Sequence, residues 1–332
     1  MNRRARSWLQ AAGFAALALG GVGLGLWRAQ VGVSELGAAL ELSAGAWAGV
    51  LGVTVAIFAS DAWRYRAMAR AVDAEIGWGT GWNASVSCHF FSCITPGAAL
   101  GAPAAVAMLA RDGVDLPTAT VISFGKSMLG STALFVGAFV ALGAGLGPQL
   151  PVAIEGLLLW GLGVVSAILL GMLALGAMPV RARRLVVRWE VWWNGRWGGG
   201  AARALGSGVL GAVERIARFR PAAMPEVIAS QALHYGMMVG LLGLLAWFHG
   251  AEPLSRVAGT SWIYLAFLYV APTPGGAGLA ESTAVDFFGG VLPAAEAIAV
   301  VLLYRALAFY AFVGIGAVHL LWVGGLDATS AD

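Results

Sequence analysis

The chain has 332 residues, of which 59% are hydrophobic and 11% are charged. Soluble globular proteins carry roughly 25% charged residues, so this composition excludes a soluble domain and predicts a polytopic membrane protein. The formal net charge of +3 is small, and the placement of the arginines along the chain is the more informative feature.

Six apolar runs are long enough to cross a bilayer, since roughly 20 apolar residues span its hydrocarbon core. They lie at 8–27, 44–60, 118–146, 151–177, 223–248 and 293–323. The first run follows a cluster of arginines and ends at Trp27, which is a poor site for signal-peptide cleavage. We therefore interpret it as a retained transmembrane helix.

Two further apolar stretches, 82–110 and 257–289, contain the breaks Pro96-Gly97 and Pro274-Gly275-Gly276. Proline and glycine release backbone groups from the helical hydrogen-bond ladder, and such groups cannot be left facing lipid. We therefore predict that each stretch is a re-entrant hairpin whose broken part is buried in protein. The simpler alternative is a pair of Pro-Gly turns that join ordinary helices.

Residues 180–220 form a long segment that is too polar to cross the membrane. Arginines recur at helical spacing among tryptophans: Arg181, Arg184 and Arg188 lie beside Trp189, Trp192, Trp193 and Trp197. This pattern is typical of an amphipathic helix on the anionic cytoplasmic leaflet. Nucleic-acid binding is the other interpretation of arginine with tryptophan, and the neighbouring transmembrane helix disfavours it.

The arginines also predict the orientation in the membrane. With the N-terminus inside, sixteen arginines are cytoplasmic and two, Arg28 and Arg256, are outside. The sixteen are three at the N-terminus, Arg64, Arg66, Arg70, Arg111 and nine within 180–220. The positive-inside rule thus predicts a multi-pass protein of the cell (plasma or inner) membrane, with its N-terminus and segment 180–220 in the cytoplasm.

Three charged residues are predicted to lie inside the bilayer. Lys126 is about 14 Å beyond Pro117 along its helix, at 1.5 Å per residue, and so lies near the centre of a core about 30 Å thick. Arg305 lies about 18 Å beyond Pro293 by the same rise. Glu281 directly follows the second Pro-Gly break. Charges at this depth are expensive, so each is a functional candidate.

Two weaker candidates are a histidine and a cysteine pair. His234 shares a helical stripe with Glu226 and Ser230, so it either relays protons from a cavity or bonds to a neighbouring helix as a core residue. Cys88 and Cys93 flank a histidine, but a metal site needs more ligands that converge at tighter spacing. We predict that both cysteines are small buried hydrophobic residues.

The two broken stretches also indicate an internal duplication. Ile94-Thr95-Pro96-Gly97-Ala98-Ala99 resembles Pro272-Thr273-Pro274-Gly275-Gly276-Ala277, and each precedes a Leu-Pro helix start. A single transmembrane domain, 1–332, would then contain a first repeat at 8–146 and a second at 151–323. Each half has three full crossings, an odd number, so the repeats would be inverted.

These features predict an all-α polytopic membrane protein, a helical bundle of two inverted repeats that each contain a Pro-Gly-broken re-entrant hairpin. Hairpins that enter from opposite faces would meet near the midplane. There the amides of Gly275, Gly276 and Gly278, freed at a helix start, are expected to form an anion-binding site.

The motif PTPGGAGLAE at 272–281 is followed by LLYRALAFY at 302–310, and SDAWRYRAMAR occupies 60–70. Together they resemble the flippase-like family typified by the transmembrane domain of lysylphosphatidylglycerol synthase. The resemblance covers essentially the whole chain and implies a role in moving lipid-linked polar groups across the bilayer. We expect no lysyl transfer, because no segment resembles the aminoacyltransferase domain.

The first half departs from this family pattern. Pro96-Gly97-Ala98 stands where relatives carry Pro-Gly-Arg, and Met128-Leu129 replaces the Glu-Arg pair expected in the next helix. Lys126 is the candidate replacement for the missing arginine.

The leading hypothesis is therefore a lipid flippase or transporter. Arg305, Lys126 and the hairpin amides would hold the phosphate headgroup of an anionic phospholipid or a polyprenyl-phosphate-type lipid, while Glu281 orients Arg305 or takes up a coupling proton. The remaining predicted site residues are Thr95, Gly97, Thr273 and His234. The alternative is a Glu281–Arg305 ion pair that only holds the bundle together.

Two other functional classes compete with transport. The chain could be a non-transporting membrane partner of a glycosyltransferase or lipid synthase, docked through segment 180–220. It could also be an intramembrane enzyme acting on lipid groups, but the sequence contains no recognisable nucleophile-His-acid arrangement or metal cluster. We therefore expect no enzymatic activity and predict no catalytic residue, metal or cofactor.

Overall fold

A computed structural model describes residues 20, 23–24, 26–197 and 210–329 of the chain. Within these residues the secondary structure is helical, which confirms the all-α class. The helices are α1 (Val33–Ala39), α2 (Ala44–Ala71), α3 (Trp78–Ile94), α4 (Gly101–Arg111), α5 (Leu116–Gly143), α6 (Val152–Ala177), α7 (Pro179–Trp197), α8 (Met224–Phe248), α9 (Leu254–Val270), α10 (Leu279–Ser282), α11 (Ala284–Phe288), α12 (Ala294–Arg305) and α13 (Ala311–Thr329). A π-helical turn, Ala306–Tyr310, joins α12 to α13.

Five segments of the described chain are long and apolar enough to cross a membrane. They are Ala44–Ala71, Leu116–Gly143, Val152–Gly171, Pro221–Phe248 and Ala294–Leu320. These correspond to five of the six predicted crossings, and most of the sixth, 8–27, lies outside the described residues. The chain is therefore a multi-pass membrane protein.

One predicted boundary is wrong. The second crossing was expected to end at residue 60, but α2 continues to Ala71. Buried polar side chains in its last turns lower the local hydropathy without ending the helix. Arg64, which we counted among cytoplasmic loop charges, is 3% exposed inside this helix. The number of arginines counted as cytoplasmic therefore falls by one.

Each Pro-Gly break separates two helical pieces. The first lies between α3 and α4, which pack along each other. Gly101 makes this packing possible, because a Cβ atom at that position would lie 1.9 Å from Ser92 Oγ and 3.0 Å from the carbonyl oxygen of Cys88. The second break lies between α9 and the short helix α10. Both breaks thus interrupt helices at the positions that the sequence predicted.

The two breaks have the same backbone conformation. Gly97 and Ala98 have φ of 57° and 55°, and Gly275 and Gly276 have φ of 53° and 71°. In both, the second positive-φ residue donates its amide to the threonine three positions earlier, at 3.2 Å in the first break and 3.0 Å in the second. This left-handed pair explains the shared Thr-Pro-Gly sequence, because glycine adopts positive φ at little cost.

The breaks also touch each other. Pro96 and Pro274 form an isolated antiparallel bridge. The two Pro-Gly segments, which are far apart in sequence, therefore lie next to each other in the fold. They bring α3 and α4 next to the polypeptide that leads from α9 to α12.

Segment 180–220 is represented by α7 and by residues 210–220, since 198–209 are outside the described part. Arg181, Arg184 and Arg188 are exposed along α7, and Trp189 and Trp192 are also exposed. The position of this segment on the cytoplasmic leaflet stays a prediction.

Candidate functional site

A buried cluster of charges surrounds Asp61, which is 0% exposed near the end of α2. Its carboxylate accepts hydrogen bonds from Arg64 Nη1 at 2.6 Å and from Ser85 Oγ at 2.6 Å. Lys126 Nζ on α5 bonds to both carboxylate oxygens, at 2.9 and 3.1 Å. Three helices therefore supply donors to one carboxylate. We call these residues, with His89 and His234, the Asp61 network.

Helix α8 completes the network through Gln231. Its side-chain oxygen accepts a bond from Arg64 Nε at 2.7 Å. Gly130 on α5 leaves the space for the guanidinium, because a Cβ atom there would lie 2.3 Å from Arg64 Nη2. A cation at this depth is costly unless it is bonded on several sides, and Arg64 meets that condition.

Two histidines lie beside the carboxylate. His89 Nδ1 is 3.4 Å from Asp61 Oδ2, and His234 Nε2 is 3.9 Å from Asp61 Oδ1. The ring centroids of the two imidazoles are 6.2 Å apart. His89 also stacks on Phe312 of α13, with centroids 4.7 Å apart. The network is therefore tied to the last helix of the chain.

A second pair of buried charges lies at the other Pro-Gly break. Arg305 Nε donates to Glu281 Oε1 at 3.1 Å, and the two residues are 2% and 1% exposed. Arg305 Nη1 donates to the carbonyl oxygen of Gly275 at 2.5 Å. The guanidinium also lies over the ring of Phe309, 3.7 Å from its centroid. Arg305 is thus fixed by a carboxylate, a backbone carbonyl and an aromatic ring.

The packing around Arg305 requires glycine at position 275. A Cβ atom on Gly275 would lie 1.8 Å from Phe309, in addition to the strain of its φ of 53°. The π-helical turn at Ala306–Tyr310 directly follows Arg305 and carries Phe309. π-Helical turns are frequent at functional sites, and this one places an aromatic ring against the arginine.

A cavity of about 370 Å³ lies between the two charge clusters. Its polar lining includes Arg64, Lys126, His234 and Arg305, and its apolar lining includes Phe124 and Leu268. Two polar atoms at its Arg305 end, Arg305 Nη2 and Thr273 Oγ1, are buried and have no hydrogen-bond partner within the described chain. The cavity therefore combines apolar walls with unused hydrogen-bonding groups.

Comparison with known proteins agrees with the sequence resemblance. The family described as Lysylphosphatidylglycerol synthase TM region matches residues 13–316. The chain belongs to this family. No curated protein and no solved structure matches it significantly. Membership in the lysylphosphatidylglycerol synthase TM family, together with the membrane-spanning helices, makes this a lipid-related membrane protein.

Six of the ten predicted site residues line the cavity of this family member. They are Gly97, Lys126, His234, Thr273, Gly275 and Arg305. Glu281 lies behind Arg305 and bonds to it. The Thr95 hydroxyl bonds to neighbouring backbone groups: it donates to the carbonyl oxygen of Phe91 at 2.6 Å and accepts from the amide of Leu100 at 3.3 Å.

The predicted amide site needs correction. The amide of Gly276 donates to the carbonyl oxygen of Thr273 at 3.0 Å, and the amide of Gly278 donates to Glu281 Oε2 at 2.8 Å. These two donors are therefore occupied within the break and are not free for an anion. The short helix α10, which has four residues, adds little dipole. Arg305 Nη2 and Thr273 Oγ1 are instead the buried polar atoms at this end that lack a partner within the described chain.

Sequence reasoning missed Asp61 and Arg64. Both lie in SDAWRYRAMAR, a motif that we noted only for its resemblance to the lysylphosphatidylglycerol synthase TM family. The available signal was an acidic residue three positions before an arginine, on a helix that is otherwise apolar. Lys126 was correctly placed in depth, but its partner was not identified.

The Asp61 network does not fit a metal ion. Asp61, His89 and His234 offer one ligand atom each within 4.8 Å of one another. However, the carboxylate oxygens already accept bonds from Arg64, Lys126 and Ser85. Two fixed cations on the carboxylate also oppose the binding of a third positive charge.

A second pocket, of about 420 Å³, opens at the surface near the end of α2. Its charges pair with one another: Arg70 bonds to Glu226, and Arg220 bonds to Asp73 at 3.3 Å. These pairs are partly exposed, and pairs of this kind contribute little. We therefore assign the candidate site to the interior cavity.

Proposed function

We propose that the interior cavity binds the phosphate headgroup of an anionic lipid or lipid-linked group, and that the protein moves this lipid across the bilayer. The observation that carries the proposal is a pair of buried polar atoms without a partner within the described chain, Arg305 Nη2 and Thr273 Oγ1, on residues that line the interior cavity. A buried donor without a partner costs about 1–3 kcal/mol, and a phosphate oxygen would remove that cost.

Arginine suits this task. Its planar guanidinium presents several donors and stays charged at every accessible pH. Here Glu281 and the Gly275 carbonyl hold Nε and Nη1, which leaves the Nη2 group for a ligand. These bonds hold the arginine side chain in place, so binding of the lipid does not incur the entropic cost of ordering it.

The charge count supports an anionic ligand. The two clusters contain three cations, Arg64, Lys126 and Arg305, and two carboxylates, Asp61 and Glu281. With neutral histidines, these five residues leave one positive charge without a counter-ion. This excess attracts an anionic headgroup and repels a cationic one.

The apolar walls favour a lipid over a free phosphate. Phe124, Leu134, Met238 and Leu268 line the same space as the charged groups. An amphiphile can place its headgroup at Arg305 and its chains along this apolar surface.

Transport by alternating access follows from the duplicated breaks. The matching backbone of the two Pro-Gly segments, and their antiparallel contact at Pro96 and Pro274, support two inverted repeats with re-entrant hairpins. Broken helices that meet at a binding site are typical of secondary transporters. The proposal includes a cytoplasmic N-terminus, a location in the cell membrane and no enzymatic activity.

The test is reconstitution of the purified chain in liposomes with labelled lipids of different headgroup charge. We expect translocation of a lipid with one net negative charge and much slower translocation of a zwitterionic or cationic lipid. Arg305→Met should reduce the rate to that of empty liposomes. Arg256→Met is the matched control, because Arg256 is exposed and lies outside the cavity. Equal rates in protein-containing and empty liposomes would refute the proposal.

A further inference from the structure

Two imidazoles in the Asp61 network have a free basic nitrogen. Ser60 Oγ donates its one proton to the carbonyl oxygen of Ile57 at 2.8 Å, so at 3.0 Å from His234 Nδ1 it can only accept. His89 Nδ1 lies 3.0 Å from the carbonyl oxygen of Ser85, which is also only an acceptor. In their neutral forms both histidines therefore carry a proton on Nδ1. Nε2 is the atom on which a further proton would be placed.

The surroundings of these nitrogens are strongly charged. Burial of both rings opposes an added proton, and so do Arg64 and Lys126, whereas Asp61 faces both rings and would stabilise it. Tyr235 packs edge-on against His234, with centroids 5.3 Å apart, and Tyr65 lies under Lys126 Nζ at 4.1 Å.

Both histidines line the proposed headgroup cavity. The His89 side chain is 21% exposed, so a proton from water has access to the network. Arg64 and Lys126, the cations that oppose protonation of the imidazoles, line the same cavity as Arg305 and therefore face an anion bound there. The negative charge of that anion would offset their repulsion, because a nearby opposite charge favours the charged form.

We propose that His89 and His234, held by Asp61, form a proton-binding site, and that one proton is taken up with each singly charged headgroup. The proton comes from water and forms an N–H bond at Nε2 of one imidazole. The network has a charge of +1 when empty, from two cations and one carboxylate. Adding one monoanion and one proton leaves that charge unchanged. This inference rests on the proposed binding of an anionic headgroup.

The charge balance predicts the direction in which lipid affinity changes with pH. Binding and protonation are thermodynamically linked, so each raises the affinity for the other by the same factor. Affinity for the anionic lipid should therefore rise as pH falls, over the interval between the imidazole pKa of the empty protein and that of the lipid-bound protein. The slope should approach about tenfold per pH unit where a full proton is taken up.

The test is isothermal titration calorimetry of the purified full-length protein in detergent, with short-chain phosphatidylglycerol as the probe. Each titration is run in two buffers of different ionisation enthalpy, which counts the protons taken up on binding. We expect uptake approaching one proton in the wild-type protein. His89→Gln/His234→Gln should bind with a buffer-independent enthalpy and an affinity that does not change with pH. His319→Gln, which removes an imidazole outside the cavity lining, should behave as the wild type does.

The outcomes separate the two proposals. Absence of binding at every pH would refute the headgroup site itself. Binding by the wild-type protein with no proton uptake at any pH at which the protein stays folded would overturn the proton site and leave the headgroup site intact. This second result needs no variant, so it holds even if the double variant unfolds. Uptake that persists in a folded double variant would also overturn the proton site.

Discussion

Replacement of Glu281 and Arg305, singly and together, separates a structural ion pair from a lipid site. Both side chains are almost fully buried, at 1% and 2% exposure, and bond to each other at 3.1 Å. Arg305→Met strands the carboxylate and removes the bond to the Gly275 carbonyl. Removing one partner of a buried pair costs roughly 3–5 kcal/mol, so we expect a loss of stability of this size.

Glu281→Gln should cost less. A glutamine oxygen can still accept the amide of Gly278, which bonds to the glutamate at 2.8 Å in the native protein. The cost comes from the arginine, which loses its counter-charge inside the bundle. In the double variant neither stranded charge remains, so we expect the single costs to be non-additive, with a coupling free energy of about 2–3 kcal/mol.

The assay combines denaturant unfolding in detergent with lipid translocation in liposomes. If Arg305 holds the lipid phosphate, the double variant recovers stability but does not move lipid. Arg305→Lys should also be impaired, because an ammonium does not reproduce the planar fork. A double variant that is both stable and fully active would refute the lipid site. Additive single costs would refute the energetic coupling of the pair.

Three further predictions concern the fold and the surface helix. In a cysteine-free background, Glu75→Cys and Glu252→Cys should react with an impermeant thiol reagent from opposite faces of the membrane, and reaction from one face would exclude inverted repeats. A synthetic peptide of residues 180–220 should bind phosphatidylglycerol vesicles far better than neutral ones, and high salt should abolish the difference, because near-surface arginines contribute about 1 kcal/mol each and are screened by salt. Equal binding to both kinds of vesicle would mean that the tryptophans, and not the arginines, cause the binding. Asp61→Asn should lower the free energy of unfolding by roughly 3–5 kcal/mol, since two buried cations lose their carboxylate, and an unchanged unfolding midpoint would show that the network is not a stabilising unit.

Local features of this protein were predictable from its sequence, and partners distant in the chain were predictable only in part. Hydropathy located five crossings, and the Pro-Gly pairs located both breaks. The contact between Arg305 and Glu281 was foreseen, because both lie near one break and carry opposite charges. The partner of Lys126 was not foreseen, because Asp61 is 65 positions away on another helix.

The error at α2 has a physical cause. A hydropathy window treats Asp61 and Arg64 as exposed charges that end a crossing. In the structure the charges of Asp61 and Arg64 are buried and paired, so they do not end the helix. The occupied amides of Gly276 and Gly278 have a similar cause. A sequence shows where backbone amides cannot bond within a helix, but the acceptors that they bond to instead depend on the turn geometry.

A purely structural role would explain the paired charges but leaves two features unexplained. Buried ion pairs that only join helices are expected to be balanced, because each uncompensated charge is costly in a low-dielectric interior. Here three cations face two carboxylates, and Arg305 Nη2, a buried donor without a partner within the described chain, belongs to a residue that lines the cavity. The excess charge and the unpartnered donor thus both favour the proposed ligand, an anion in the cavity.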